Sequence, residues 1–250
     1  YCLMNSRIAG RHTAVVSVGL IALLFVLCAA PVANAVDTSA WTHKMPITFS
    51  GYTQSGTLTN FPAMVKLNTG ISGFLYSQFQ SANGWDLRFT DSGANNWLNY
   101  DIDTWSQSGS SYVWVSVPNL TSGTTIWAYW GNSGVAGSPA AHATNGAIWQ
   151  TANYTAVWHL GENMTNRAVV KDSCSTNNGI MKFEPGASLA VSTNAIIGDG
   201  VKFVIGGNYM QNRPCDIQVD SEGNFRFPSA VEVTAWMKDW DPSDWGCNYV

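Results

Sequence analysis

The side chains best suited to ligand chemistry gather near the end of the chain. Asp239, Asp241 and Asp244 share one short polar stretch with Trp240 and Trp245. Carboxylate oxygens crowded into a loop suit a hard cation such as calcium, although no glycine and no distal glutamate complete an EF-hand spacing. An indole displayed on a polar loop suits a sugar, whose apolar ring face stacks on an aromatic plane, so Trp240 and Trp245 are the candidate binding residues. Acid–base chemistry is poorly supplied. A retaining glycosidase needs two carboxyl groups ~5–5.5 Å apart. The nearest match, Asp220-Ser221-Glu222, runs into Gly223-Asn224, which reads as a turn. There is no G-x-S-x-G elbow, H-E-x-x-H helix or phosphate-binding glycine loop. His43, His142 and His159 lie near no obvious nucleophile, and His159 with Glu162 reads as a tie to a neighbouring loop. The reading favours a protein that binds over one that catalyses.

The elements that would position these residues are strands. Met45, Ile47 and Phe49 alternate with polar neighbours, as do Trp85, Leu87 and Phe89, and Leu98, Tyr100 and Ile102. Alternation with period two marks a strand with one face in a core. Residues 112–117 (YVWVSV) and 126–130 (IWAYW) are apolar on both faces, which predicts strands buried between two sheets. Most tryptophans at strand positions, Trp85, Trp114, Trp127 and Trp236, are expected in the core. Only Ile71–Gln80 suggests a helical turn. The fold class is all-β, two antiparallel β-sandwich (jelly-roll-like) domains of which the second is incomplete. Residues 132–153 lie in a glycine-rich, aperiodic stretch and form the expected linker between a first domain, 36–131, and a second, 154–250. Within the second, Tyr154–Leu160, Val201–Ile205 and Val231–Met237 read as strands.

Composition excludes several classes. Only 11% of residues are charged, against ~25% in typical soluble domains. Twelve Trp, nine Tyr and ten Phe supply a core that a disordered linker lacks. A net charge of −4 offers no basic surface for nucleic acid.

Arg7 and Arg11 precede a 17-residue apolar run, Ala14–Ala30, followed by Ala33-Asn34-Ala35. This pattern predicts a signal peptide over residues 1–35, cleaved after Ala35, and no membrane span thereafter. The expected location is extracellular, periplasmic or cell-surface. Cleavage leaves 10 Lys and Arg against 16 Asp and Glu, a net charge of −6. Cys174, Cys215 and Cys247 then remain in an oxidising compartment, with one disulfide and one buried thiol the expected use and the pairing open. The chain begins at Tyr1, before its first methionine at Met4, and reads as part of a longer multidomain protein.

Residues 41–131 carry LTNFP at 58–62, WDLRFTD at 85–91, YVWV at 112–115 and YWGN at 129–132. In this order they resemble a family of secreted prokaryotic domains of unknown function. Residues 156–160 (AVWHL), Asp172-Ser173 with Asn177-Asn178-Gly179, 198–203 and 233–237 resemble the first half of a concanavalin A-like lectin/glucanase module of laminin G type. The resemblance implies extracellular binding of a glycan or other surface polymer and no known reaction. Loops of such modules sometimes hold calcium, which makes Asp172 and Asn178 candidate ligands by resemblance, the favoured alternative being Asx-type turns that brace the loop. The rival functions are a polysaccharide hydrolase whose catalytic part lies beyond residue 250, and a structural spacer in an adhesin or envelope complex.

Overall fold

The computed structural model describes residues 35–162, 168–183, 188–192, 195–204 and 215–219 of the chain. The expected leader through residue 34, the Asp220–Glu222 pair, the strand at 231–237, Trp240, Trp245 and Cys247 lie outside the described residues.

The fold is all-β. Six strands come first: β1 (His43–Thr48), β2 (Leu58–Leu67), β3 (Arg88–Thr90), β4 (Tyr100–Thr104), β5 (Ser111–Leu120) and β6 (Thr125–Trp130). They form two antiparallel sheets, in the orders β1-β6-β3 and β2-β5-β4. The alternation seen in the sequence sets which side chains turn inward. Val113, Val115 and Val117 of β5 are fully buried, as is Ala128 of β6, with Ile126 and Trp130 nearly so. Val65 and Leu67 of β2, Tyr100 of β4 and Phe89 of β3 join Val113, Val115, Ile126, Ala128 and Trp130 in one core shared by the inner faces of both sheets. Met45, Ile47 and Phe49 pack on its margin. Full burial of one such side chain stabilises the fold by ~1.5–3 kcal/mol, and the buried polar residue at an inward position of β5, Ser111, is hydrogen-bonded to the Tyr76 hydroxyl at 2.8 Å.

Each of these two sheets carries a proline on one of its two edge strands, Pro46 in β1 and Pro62 in β2. Proline offers no N–H to a further strand. Pro118 in β5 stands beyond the residues that pair with β4, whose partners end at Val115. Opposite it, the β2 ladder skips Asn60, which adopts a left-handed φ of 50°. The expected helical turn in Ile71–Gln80 is a single 3-10 turn at Tyr76–Gln78.

After β6 the chain does not run as an extended spacer. Residues 132–153 contain 3-10 turns at Ser133–Val135 and Ala141–Ala143 and the short helix α1 (Ala147–Gln150). Gly146 makes this possible: its φ is 70°, and a Cβ there would collide with the carbonyl of Cys174. Ile148 and Trp149 of α1 are buried with Cys174, and Trp114 and Val157 pack against them. This small second core covers the outer face of the β2-β5-β4 sheet. Burial of β5 on both faces was expected from its sequence, but its outer cover is a helical turn and loops.

Further strands are β7 (Val169–Val170), β8 (Gly179–Phe183), β9 (Ser188–Ser192), β10 (Gly200–Val204) and β11 (Cys215–Val219). They pair antiparallel in the orders β11-β8-β7 and β10-β9. The strand expected over Tyr154–Leu160 does not form. Trp158 makes one isolated bridge to Asp172, and Leu160 adopts a left-handed φ of 61°. The reason is local: the N–H of Val157 donates to the Asp172 carboxylate at 2.9 Å instead of to a neighbouring strand. Among the described residues no helix is long and apolar enough to cross a membrane.

Candidate functional site

The residues of the 85–91 and 129–132 motifs build scaffold. Asp86 is fully buried, and its carboxylate accepts from the backbone N–H groups of Gln80 (3.0 Å), Ser81 (3.1 Å) and Gly131 (2.9 Å). One side chain thereby joins the loop before β3 to the end of β6. Gly131 holds a φ of 90°, and a Cβ there would strike the Thr42 hydroxyl, so the YWGN turn needs glycine. The Arg88 Nη1 donates to the carbonyls of Trp85 and Leu87, both at 2.6 Å, and lies 3.3 Å from the Tyr100 hydroxyl. Burial pushes the Tyr100 phenol up to about 12, against the opposing pull of Arg88.

The outer face of the β1-β6-β3 sheet is different. Register places Trp127 between Pro46 on β1 and Thr90 on β3, and Thr90 bridges in turn to Trp97. Partners directly opposite share a face, so Pro46, Trp127, Thr90 and Trp97 form one row across the sheet. The next row holds Lys44, Tyr129 and Arg88, and the row on the other side pairs the exposed hydroxyls of Thr48 and Thr125 at 3.0 Å. Trp97 meets Trp41 at 5.0 Å and Tyr129 at 6.1 Å between ring centroids. The Lys44 ammonium lies 5.2 Å from the Trp127 ring. Trp41, Trp97 and Trp127 are half-buried, whereas Trp130 on the inner face is 1% exposed. Trp114 and Trp127, expected in the core between sheets, therefore face outward. In IWAYW the parity assigns Ile126, Ala128 and Trp130 to the interior, leaving Trp127 and Tyr129 outside.

A second constellation sits on the outer face of β4. Asp101 and Asp103 are two residues apart, and Asp103 is the extra residue of a β-bulge between Ile102 and Thr104. Both carboxylates hold His159: Asp101 Oδ2 lies 2.9 Å from its Nε2 and Asp103 Oδ2 lies 2.8 Å from its Nδ1. The indole N–H of Trp149 donates to Asp101 at 2.9 Å and that of Trp114 to Asp103 at 3.1 Å. Burial alone would push the imidazole down, but hydrogen bonds and charge from both aspartates outweigh it and hold His159 up at about 10. Burial would likewise raise Asp101, and the hydrogen bonds from His159, Trp149 and Ser173 bring it below the ordinary carboxylate value instead. With both ring nitrogens donating, His159 keeps no lone pair to act as a base. The arrangement is a clasp that fastens the 156–160 segment to β4. Glu162, paired with His159 in the sequence reading, accepts from the N–H of Lys171 at 2.9 Å, so the two residues tie different neighbours.

Beside the clasp lies a cavity of about 350 Å³ between β4, the 143–146 turn and the 171–176 loop. Asp172 shapes that loop. Its buried carboxylate accepts from Val157 N, Cys174 N, Asn177 N and the Ser175 hydroxyl at 2.7–3.1 Å. Asn178 accepts from the N–H of Asp172 at 2.9 Å. The two residues expected at a calcium site are thus engaged in bracing their own loop. Among the described residues no group of three or more His, Cys, Asp and Glu side chains is placed to hold a metal ion. Cys174 is a buried free thiol, its Sγ 3.0 Å from the Tyr154 carbonyl. Burial, helped by the nearby Asp172 charge, pushes it up to about 11.

Of the binding and metal candidates, only Asp172 and Asn178 have described side chains, and the outer-face row and the clasp were not anticipated. Strand parity held the signal for the row, and Asp101-Ile102-Asp103 held a partial signal for the clasp. Ala35, the expected cleavage point, is the first described residue.

No curated protein and no solved structure matches the chain. Residues 83–160 match the family model of a domain of unknown function, DUF2341, a stretch that runs from the turn before Asp86, through β3–β6 and α1, to the segment bearing His159.

Proposed function

We propose that this protein is exported and acts outside the cytoplasm as a non-catalytic binder of a glycan or related surface polymer. The observation that carries this reading is the pair of half-buried tryptophans, Trp127 and Trp97, set either side of the buried Thr90 on the outer face of β1-β6-β3, with the Thr48 and Thr125 hydroxyls in the neighbouring row. Indole planes take the C–H face of a pyranose while hydroxyls beside them exchange hydrogen bonds with the ring substituents. A polymer laid along the sheet meets both kinds of group repeatedly. The Lys44 ammonium at the Trp127 ring adds a donor at the same place. Supporting the non-catalytic part, His159 has both nitrogens engaged by carboxylates.

Export rests on the Arg-flanked apolar run and the A-x-A pattern ending at Ala35. The laminin G-like reading of residues 154–250 rests on their motif order and adds a second polymer-binding unit in which Trp240 and Trp245 would contact ligand.

The test is a glycan-array and polysaccharide pull-down screen of the mature chain, with Trp127→Ala and Trp97→Ala variants alongside. Binding weakened tenfold or more in both variants, each still folding cooperatively, supports the reading. No ligand above background for the parent chain overturns it.

A further inference from the structure

The cavity beside the His159 clasp has the size and the chemistry of a ligand site. Its volume of about 350 Å³ falls within the ~300–1,000 Å³ range of small-molecule pockets. Its two carboxylates are already engaged. Asp101 is paired with His159, and Asp172 is met by four N–H and O–H donors. Neither carboxylate is left to attract a cation, and the lining holds one cation, the exposed Lys171, rather than a cluster that would select an anion. What remains is a set of hydroxyl and amide groups that both donate and accept. The Thr144 hydroxyl donates to Ala140 O at 3.3 Å and keeps its lone pairs. Asn145 accepts from Ala147 N through Oδ1 at 2.9 Å and keeps its NH2 donors. Thr176 adds another hydroxyl to the lining, the Ser173 hydroxyl donates to Asp101 and keeps its lone pairs, and Ala143 and Ile148 add an apolar part. The walls are set in advance: Gln150 Nε2 donates to Cys174 O at 2.7 Å, and Gly146 lies so close to the same carbonyl that no side chain fits between.

A polar wall whose carboxylates are already engaged, with apolar side chains beside it, fits a ring that carries hydroxyls around its edge and C–H groups on its face. We propose that this cavity receives a single neutral pyranose unit. The proposal rests on the glycan-binding reading above and places a second contact, specific for one sugar unit, on the opposite sheet from the aromatic row.

The test uses the mature chain with methyl glycosides of glucose, galactose, mannose and N-acetylglucosamine as probes, followed by calorimetry and by NMR shift mapping. Thr144 and Thr176 are exposed at the rim, so Thr144→Trp and Thr176→Trp obstruct the mouth without touching the core. The expected result is binding of at least one glycoside with shifts at Ser173 and Asn145, weakened tenfold or more in both variants at an unchanged melting temperature. Glycoside affinity that neither variant alters, or shifts confined to the Trp97–Trp127 face, overturns the cavity assignment and leaves the polymer reading standing. Absence of glycoside binding with polymer binding intact has the same meaning. Glycoside binding in the cavity without any polymer binding overturns the polymer reading alone, and no binding of either kind overturns both.

Discussion

His159 Nδ1 stands 2.8 Å from Asp103 Oδ2, and that contact fastens a segment following α1 to β4, an edge strand of the β2-β5-β4 sheet. Breaking a buried ion pair by removing one partner leaves the other charge uncompensated. His159→Ala is therefore expected to lower stability by about 2–4 kcal/mol, the lower part of the range allowing for the partial exposure of the site. Urea unfolding monitored by tryptophan fluorescence measures this, and a loss below half a kilocalorie would remove the clasp from the stability account.

The same group sets the pH dependence. His159 rises from about 6.5 when unfolded to about 10 when folded, so its contribution is complete below pH 6.5 and disappears as pH climbs through 10. His142 moves the other way, pushed down to about 4 by burial and by the Arg88 charge. Its neutral form is the folded one, so stability falls as pH drops from 6.5 through 4. Asp101, held below its ordinary value, adds further loss at lower pH still. The expected profile peaks near pH 6.5 and declines on both sides. Melting temperatures across pH 3–11 would show this, and a maximum above pH 9 would contradict it.

Asp86→Ala should be among the most damaging polar substitutions. It leaves the N–H groups of Gln80, Ser81 and Gly131 without their acceptor inside the protein. At ~1–3 kcal/mol for each buried unsatisfied group, relieved in part by water, the expected cost is about 3–5 kcal/mol. Asp86→Asn, which keeps acceptance at one oxygen, should cost less, and equal losses in the two variants would argue against the hub.

Two tryptophans three positions apart should behave oppositely. Trp130→Ala opens a cavity in the shared core and should cost ~3–5 kcal/mol. Trp127→Ala removes a half-buried outward ring and should cost under about 2 kcal/mol, while ligand binding suffers. Paired denaturation and binding curves separate the two roles.

Asp172 as a loop brace predicts that chelator and added calcium leave the melting temperature unchanged, whereas Asp172→Ala lowers it, because four donors lose their acceptor. A chelator-induced drop would restore calcium to this loop, since a ligand that binds only the native state stabilises it. The adjoining Cys174 thiol, buried and pushed up to about 11, should alkylate slowly at neutral pH until denaturant is added, as peptide mass spectrometry can follow.

The inner face was legible wherever an alternating run met a single neighbour. Val113, Val115 and Val117 announce themselves, and Leu87 and Phe89 do as well. Legibility failed where a side chain supplied the hydrogen bond that a strand would have supplied. Val157 looks like strand until Asp172 takes its N–H. The clasp was hidden for a related reason: His159 acquires its role only when α1 and the 171–178 loop set it against β4, and local spacing does not encode that meeting. The aromatic row was readable in principle, but a run of rings on alternate residues looks the same whether the second face is covered or bare.

Pro46 and Pro62 mark one margin of each of the first two sheets. An edge strand left open can zip onto the sheet of a second molecule. With an imino nitrogen along these two margins, such zippering meets a gap in its row of donors there, which disfavours fusion into fibres through β1 or β2.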